Sequence, residues 1–415
     1  MEEQPALARR LGTADAVVIG LGSMIGAGVF SAFGPAAQAA GAGLLIGLAL
    51  AAPIAYCNAT ASAELAAVYP TSGGTYIYGR ERLGPWRGFV AGWGFVIGKS
   101  ASCAAMALTV AAYAVPGSWW AQRVIAVTAV SVLIALNYRG ITKTAMLARI
   151  LLACTLIALA TVVIGIAVGD PEPHLIHWSA GTIYGVLQSA GLLFFAFAGY
   201  ARIATMGEEV RDPGRTIPRA ITLALGIAVA IYLVVGVAVL LAAGPDRLAH
   251  AAAPLAEAVR AAGGAALVPV ITVGAALASL GALLALIAGL GRTVLAMARH
   301  RDLPAWLAAV HPRYRVPHHA EIALGVVVCV LVATVDLRGV IGFSSFGVLI
   351  YYGIANAAAY TLPASRRRRP RVLNVCGVLG CLLLVATLPW ESVVAGLGIF
   401  AIGVAGRALV LRRRA

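Results

Sequence analysis

The apolar residues of this chain gather into long runs instead of recurring on a helical or strand period. Stretches of roughly 20 mostly apolar residues follow one another from end to end, parted by short segments rich in arginine, proline or glycine. A helix rising 1.5 Å per residue needs about that length to cross a hydrocarbon layer of ~30 Å. The pattern predicts twelve spans. The first six are Asp15–Ala40, Leu44–Val68, Gly88–Val115, Trp120–Asn137, Ile150–Val168 and Ile183–Met206. The second six are Ile221–Ala243, Leu267–Met297, Glu321–Val335, Val340–Leu362, Val372–Leu388 and Val393–Leu411.

An all-α polytopic membrane protein is therefore expected, and the composition agrees. Of 415 residues, 61% are hydrophobic and only 11% charged, where a soluble domain carries about 25%. No cleavable leader is expected, because the apolar run after Arg9 and Arg10 is too long for one and lacks a convincing cleavage site.

The net charge of +15 and the segment SRRRRPR (Ser365–Arg371) invite a nucleic-acid reading. Topology supplies another cause. With a cytoplasmic N-terminus, most of the 31 lysines and arginines fall in cytoplasmic segments. Arg123, Arg247, Arg260 and Arg338 lie on the other side, and Lys99 and Arg202 lie within spans. This is the positive-inside bias. It predicts a multi-pass protein of the cytoplasmic membrane with both termini inside, whose large partner is the lipid bilayer and not nucleic acid.

The sequence VVIGLGSMIGAG (Val17–Gly28) has the look of a dinucleotide-binding turn. That turn needs an acidic residue about 20 positions on, and after Asp15 the next carboxylate is Glu64. The glycines have a different meaning inside a membrane span. Each costs about 1 kcal/mol against alanine within a helix, so Gly20, Gly22, Gly26 and Gly28 together predict a break. Unwound backbone at membrane depth survives where it is buried in protein or lines a cavity; small residues also serve close helix packing.

The sixth span carries a counterpart, LLFFAFAGYARIATMGEEV (Leu192–Val210), with Gly199 following Phe194, Phe195 and Phe197. Paired interruptions in corresponding spans point to the substrate site of an inverted-repeat transporter. The organisation then predicted is a cytoplasmic tail (1–12) and a first five-helix repeat (13–168). A second, inverted repeat (183–362), two further helices (372–411) and a basic tail (412–415) complete it. The half-helix beginning near Ile25–Gly28 offers free N–H groups to a carboxylate, and the one ending near Phe197 offers carbonyls to an ammonium. A zwitterion between them is an amino acid.

Four segments carry a resemblance that covers most of the chain: GLGSMIGAGVF (Gly20–Phe30), AELAAVYPTSGGTYIYGRERLG (Ala63–Gly84), FFAFAGYARIATMGEEVRDPGRTIPRAI (Phe194–Ile221) and RTVLAMARHRDLP (Arg292–Pro304). Together they resemble the amino acid–polyamine–organocation (APC) superfamily of permeases. The resemblance implies secondary transport of amino acids or related amines by alternating access, without ATP hydrolysis, enzymatic activity or cofactor. By position it implies that Gly22, Ser23, Ile25 and Gly26 bind the substrate carboxylate, with Met24 and Gly28 beside them. Phe197, Ala198 and Gly199 would offer carbonyls to the amine, Phe197 would act as an aromatic gate, and Tyr200 would follow it. Phe194 and Phe195 are expected to pack.

Some proton-coupled relatives carry a lysine in span five; aligned from Gly140, that place here is Thr155. Lys99 instead stands in span three, twelve residues beyond Arg87 and so ~18 Å into the membrane. Ionisable residues at such depth are functional candidates, and Lys99 is expected either to titrate with a coupling proton or to hold backbone carbonyls. Glu64, Arg202, Glu208 and Glu209 are expected to form cytoplasmic gate networks. With no carboxylate evident at mid-membrane depth, proton symport of small or neutral amino acids is expected; the alternative is an exchanger whose substrates include cationic amino acids or polyamines. A membrane-embedded enzyme or a metal centre is not expected. His311, His318 and His319 lack a closing ligand set, and all six cysteines lie in predicted spans without metal-type spacing. A channel would share the spans but would not require paired breaks.

Overall fold

Backbone in hydrocarbon has no water to pair with, so each apolar run must satisfy its N–H and C=O groups along its own helix. The computed structural model describes residues 11–69, 73–139, 145–169, 181–204 and 210–412, and among them it is helical throughout, with no strand. An isolated bridge pairs Leu11 with Val210. The helices are α1 (Thr13–Met24), α2 (Ala27–Ser31), α3 (Phe33–Ala40), α4 (Leu44–Val68), α5 (Gly74–Leu83), α6 (Pro85–Ala114), α7 (Trp119–Tyr138) and α8 (Ala145–Val168). They continue with α9 (Ile183–Phe197), α10 (Ala201–Ala204), α11 (Pro213–His250), α12 (Pro254–Ala261), α13 (Val268–Arg299), α14 (His318–Thr334), α15 (Leu337–Tyr360), α16 (Arg371–Thr387) and α17 (Trp390–Arg412).

By length and composition, 10 helical stretches among the described residues can cross a membrane. The expected ninth and eleventh spans are α14 and α16, apolar helices of 17 residues each. At 1.5 Å per residue these reach ~25 Å, the lower limit for a crossing. The expected first span is not one helix but three, α1 to α3, and the expected sixth is interrupted after Phe197. Helices α5 and α12 lie between spans; hydropathy does not predict them, because short helices there need no apolar run.

Helix α6 occupies the middle of the bundle. In its most apolar 18-residue window 89% is buried, against 17% in α7 and 11% in α17, which places those two on the outside. It starts where Gly84 turns the chain at φ +97° and Pro85 takes the first helical position. Against α15 it packs backbone to backbone: a Cβ on Gly94 would sit 2.9 Å from the Gly347 carbonyl oxygen, and one on Gly98 3.0 Å from that of Ser344. Small residues permit this approach where helices pack within lipid. Ser102 and Ser344 hydrogen-bond across the same seam at 2.7 Å. On the far side of α15, Asn356 donates to Asn58 of α4 at 2.6 Å, and the Cys381 thiol of α16 donates to the same oxygen at 3.3 Å.

A charged knot closes the arginine-rich end of the bundle. Asp302, just beyond α13, accepts from Arg80 of α5 at 2.7 Å and from the Tyr76 hydroxyl at 2.7 Å, and is ion-paired with Arg407 of α17 at 2.8 Å. Arg407 also donates to the Pro85 carbonyl at 3.0 Å and lies 4.5 Å from the centre of the Trp86 ring. Burial, and then the Asp302 carboxylate, hold the Tyr76 phenol above its ordinary range, so it remains a donor. A buried carboxylate with three partners is satisfied, which is the condition for keeping a charge in such a place.

Candidate functional site

The glycine-rich stretch breaks the first helix as its composition requires. Helix α1 ends at Met24, Ile25 turns to ψ 67°, Gly26 takes φ −120° and ψ −141°, and α2 starts at Ala27. In the sixth span α9 ends at Phe197, a 3₁₀ turn covers Ala198–Tyr200, and α10 starts at Ala201. The two breaks touch. A Cβ on Gly199 would collide with the Ser23 carbonyl and the Met24 nitrogen, and one on Gly28 would lie 2.6 Å from the Ala196 Cα. Glycine at these two places lets main chain rest on main chain.

Breaking a helix strands carbonyls, and side chains from distant helices take them up. The Tyr232 hydroxyl of α11 lies 2.6 Å from the Met24 oxygen and 2.9 Å from the Ala196 oxygen, so one group braces both breaks. The Ala198 carbonyl accepts from the Lys99 ammonium at 3.1 Å and from the Tyr352 hydroxyl of α15 at 3.2 Å. A carbonyl oxygen has two lone pairs, and both are engaged.

Beside the breaks lies a cavity of about 90 Å³, bounded by α1, α2, α6, α9, α10 and α13. Ser23, Met24, Gly26, Gly28, Ala198 and Gly199 line it. Gly22, Ile25, Phe197 and Tyr200 stand outside the lining. Phe197 is fully buried with its ring centre 5.1 Å from that of Tyr232, and the Tyr200 ring lies tilted against that of Tyr352, their centres 4.9 Å apart. The aromatics that do line the cavity are Phe95 of α6 and Phe195 of α9. A Cβ on Gly22 would meet nothing within 4 Å, so close approach is not what a glycine there provides.

The charged residues of the lining are Lys99, Arg202 and Arg292. Arg292 and Thr293 of α13 are not among the site residues expected from the sequence; the motif beginning at Arg292 is the signal that could have found them. Thr155 is buried, donates to the Leu151 carbonyl at 2.8 Å and does not line the cavity. Glu64 is buried away from it and accepts the Arg368 backbone N–H at 2.9 Å. Glu208 and Glu209 lie outside the described residues. A third buried carboxylate beside Glu64 and Asp302, Glu321 of α14, packs behind Gly291 of α13; sequence reasoning gives it only as the first residue of the expected ninth span. Beyond the cavity, the Tyr113 hydroxyl donates to the Phe30 carbonyl at 2.8 Å and accepts from the Leu255 N–H at 3.3 Å, tying α6 to α2 and α12. Among the described residues no cluster of three His, Cys, Asp or Glu side chains is placed to hold a metal.

The family model described as amino acid permease matches residues 11–405. An uncharacterized transporter of Mycobacterium tuberculosis is 59% identical, the match covering 98% of this chain and 93% of that protein. The branched-chain amino acid permease BcaP of Bacillus subtilis is 26% identical, over 94% of this chain and 90% of its own. A chloroplastic cationic amino acid transporter of Arabidopsis thaliana is 28% identical, over 83% of this chain and 64% of its own.

Proposed function

Since the chain belongs to the amino acid permease family, we propose that it is a secondary active transporter carrying small amino acids across the cytoplasmic membrane by alternating access. The observation that carries this reading is the pair of interrupted helices whose breaks touch each other and border one cavity. In this reading twelve spans form two inverted five-helix repeats plus two helices, and both termini are cytoplasmic.

The substrate's carboxylate takes the backbone N–H groups around Ser23 and Gly26, and its ammonium takes carbonyls at the other break. Because the Ala198 oxygen already accepts from Lys99 and Tyr352, the amine binds at Phe197 or Gly199, or displaces Lys99. Transport is coupled to protons, with Lys99 rather than Thr155 as the titrating group, since Lys99 alone of the two reaches the cavity. Glu64, Arg202, Glu208 and Glu209 belong to the cytoplasmic gate. Cationic substrates are disfavoured, because the charged lining is itself cationic.

The test is uptake of radiolabelled L-amino acids into proteoliposomes, with and without an inward proton gradient and with unlabelled amino acid inside. Accumulation driven by the gradient is expected. Uptake confined to preloaded vesicles would make the protein an exchanger, and no uptake under any condition would remove the amino-acid assignment.

A further inference from the structure

We infer that the substrate of this cavity carries an acidic side chain, whose carboxylate is received by Lys99. The inference rests on the permease reading above and narrows it from small amino acids in general to anionic ones.

Lys99 is 7% exposed and lines the cavity from α6. An ammonium has three N–H donors. Among the described residues one acceptor is supplied, the Ala198 oxygen at 3.1 Å, and that oxygen is shared with Tyr352. No Asp or Glu among the described residues lies within ion-pair distance of Lys99, and none lines the cavity. The polar groups that line it with Lys99 are Ser23, Ser102 and Thr293, all neutral, and Arg202 and Arg292, both cationic. Glu321 lies on the other side of α13, against Gly291, and does not reach the lining.

A buried cation with unused donors is costly to keep unless an anion completes it. The ligand is the group positioned to do so. The α-carboxylate of any amino acid is assigned to the backbone at the first break. Lys99 approaches from α6, outside both interrupted helices, where a second carboxylate on a short side chain fits. By the measure in which a water needs about 10–15 Å³, a cavity of about 90 Å³ admits a small ligand. A cationic side chain would face Lys99 with the same sign of charge, and a neutral one would leave its donors unmet.

The experiment uses the full-length protein in proteoliposomes, with radiolabelled L-aspartate, L-glutamate, L-alanine and L-leucine, each challenged by the others unlabelled. Saturable uptake of an acidic amino acid is expected, with the acidic competitors inhibiting at lower concentration than the neutral ones. Lys99→Met should lower the ratio of acidic to neutral uptake by at least about tenfold, whereas Lys99→Arg should retain the preference. Transport of alanine or leucine without competition from excess aspartate or glutamate would overturn the inference and leave the permease reading standing. Absence of uptake for every amino acid would fail the permease reading and the inference with it. Competition on the wild-type protein decides the matter even if Lys99→Met does not fold.

Discussion

Alanine in place of Gly28 probes the contact on which the site is built. A Cβ there lies 2.6 Å from the Ala196 Cα and 2.8 Å from its Cβ, while carbon atoms attract each other best at about 3.5–4.0 Å. One main chain must retreat from the other by roughly 1 Å. Over-packing of this kind costs about 1–3 kcal/mol, which is about 5- to 150-fold in the population of the packed arrangement. Gly226 of α11 is the control: a Cβ there meets nothing within 4 Å, and alanine adds up to about 1 kcal/mol of helix propensity. Both variants are purified in detergent, unfolded by heat with tryptophan fluorescence as the signal, and assayed for uptake in proteoliposomes. Gly28→Ala should unfold at lower temperature and transport several-fold less. Gly226→Ala should unfold at the same or a higher temperature and transport as before. Equal unfolding temperatures for the two would refute the claim that main-chain contact between the breaks holds the site together.

Tyr232→Phe keeps the ring against Phe197 but takes the hydroxyl from the Met24 and Ala196 carbonyls; leaving a buried acceptor unmet costs about 1–3 kcal/mol, read as lower thermal stability together with slower uptake. Phe197→Ala removes a fully buried ring and should cost about 3–5 kcal/mol; an unchanged melting temperature with altered uptake would make Phe197 a gate instead of a packing residue. Asp302→Asn strips the charge from the knot that holds Arg80 and Arg407. Losing one partner of a buried pair costs about 3–5 kcal/mol, and faster amide exchange near Arg407 than in the wild type is the expected sign. Unchanged exchange there would mean that α17 is held by its packing alone.

The places of the two interruptions are legible in the sequence because glycine acts locally: its cost inside a helix is incurred wherever it stands, whatever surrounds it. The membrane-crossing character is legible for the same reason, since hydropathy sums over one helix at a time. What closes the breaks is not. Tyr232 is separated from Met24 by 208 positions and Tyr352 from Ala198 by 154, and no periodicity within one helix records which face of another it will meet. Depth is legible for Lys99, but its acceptor is not, because rotation about the α6 axis depends on the glycine seam with α15. Hydropathy also joins α1, α2 and α3 into one span, since it measures the company a segment keeps and not the continuity of its hydrogen bonds. Glu321 escapes notice for a related reason: as the first residue of an expected span it marks only the edge of an apolar run, and hydropathy does not record that the helix carries it into the protein interior.

The seam between α6 and α15 has a mechanical consequence. Where Gly94 and Gly98 meet Gly347 there are no side chains to change rotamer, so the two helices have no soft coordinate along which to slide past each other. In the alternating-access reading proposed above they act as a keel, and the movement that opens the cavity is expected at the opposite wall, where helices are already cut at Ile25–Gly26 and Ala198–Tyr200. Lys99 is fixed to the keel and the Ala198 carbonyl to the hinged wall. In that reading their 3.1 Å hydrogen bond is a strut between the stationary and the moving parts, and a swing of the wall is expected to change its length.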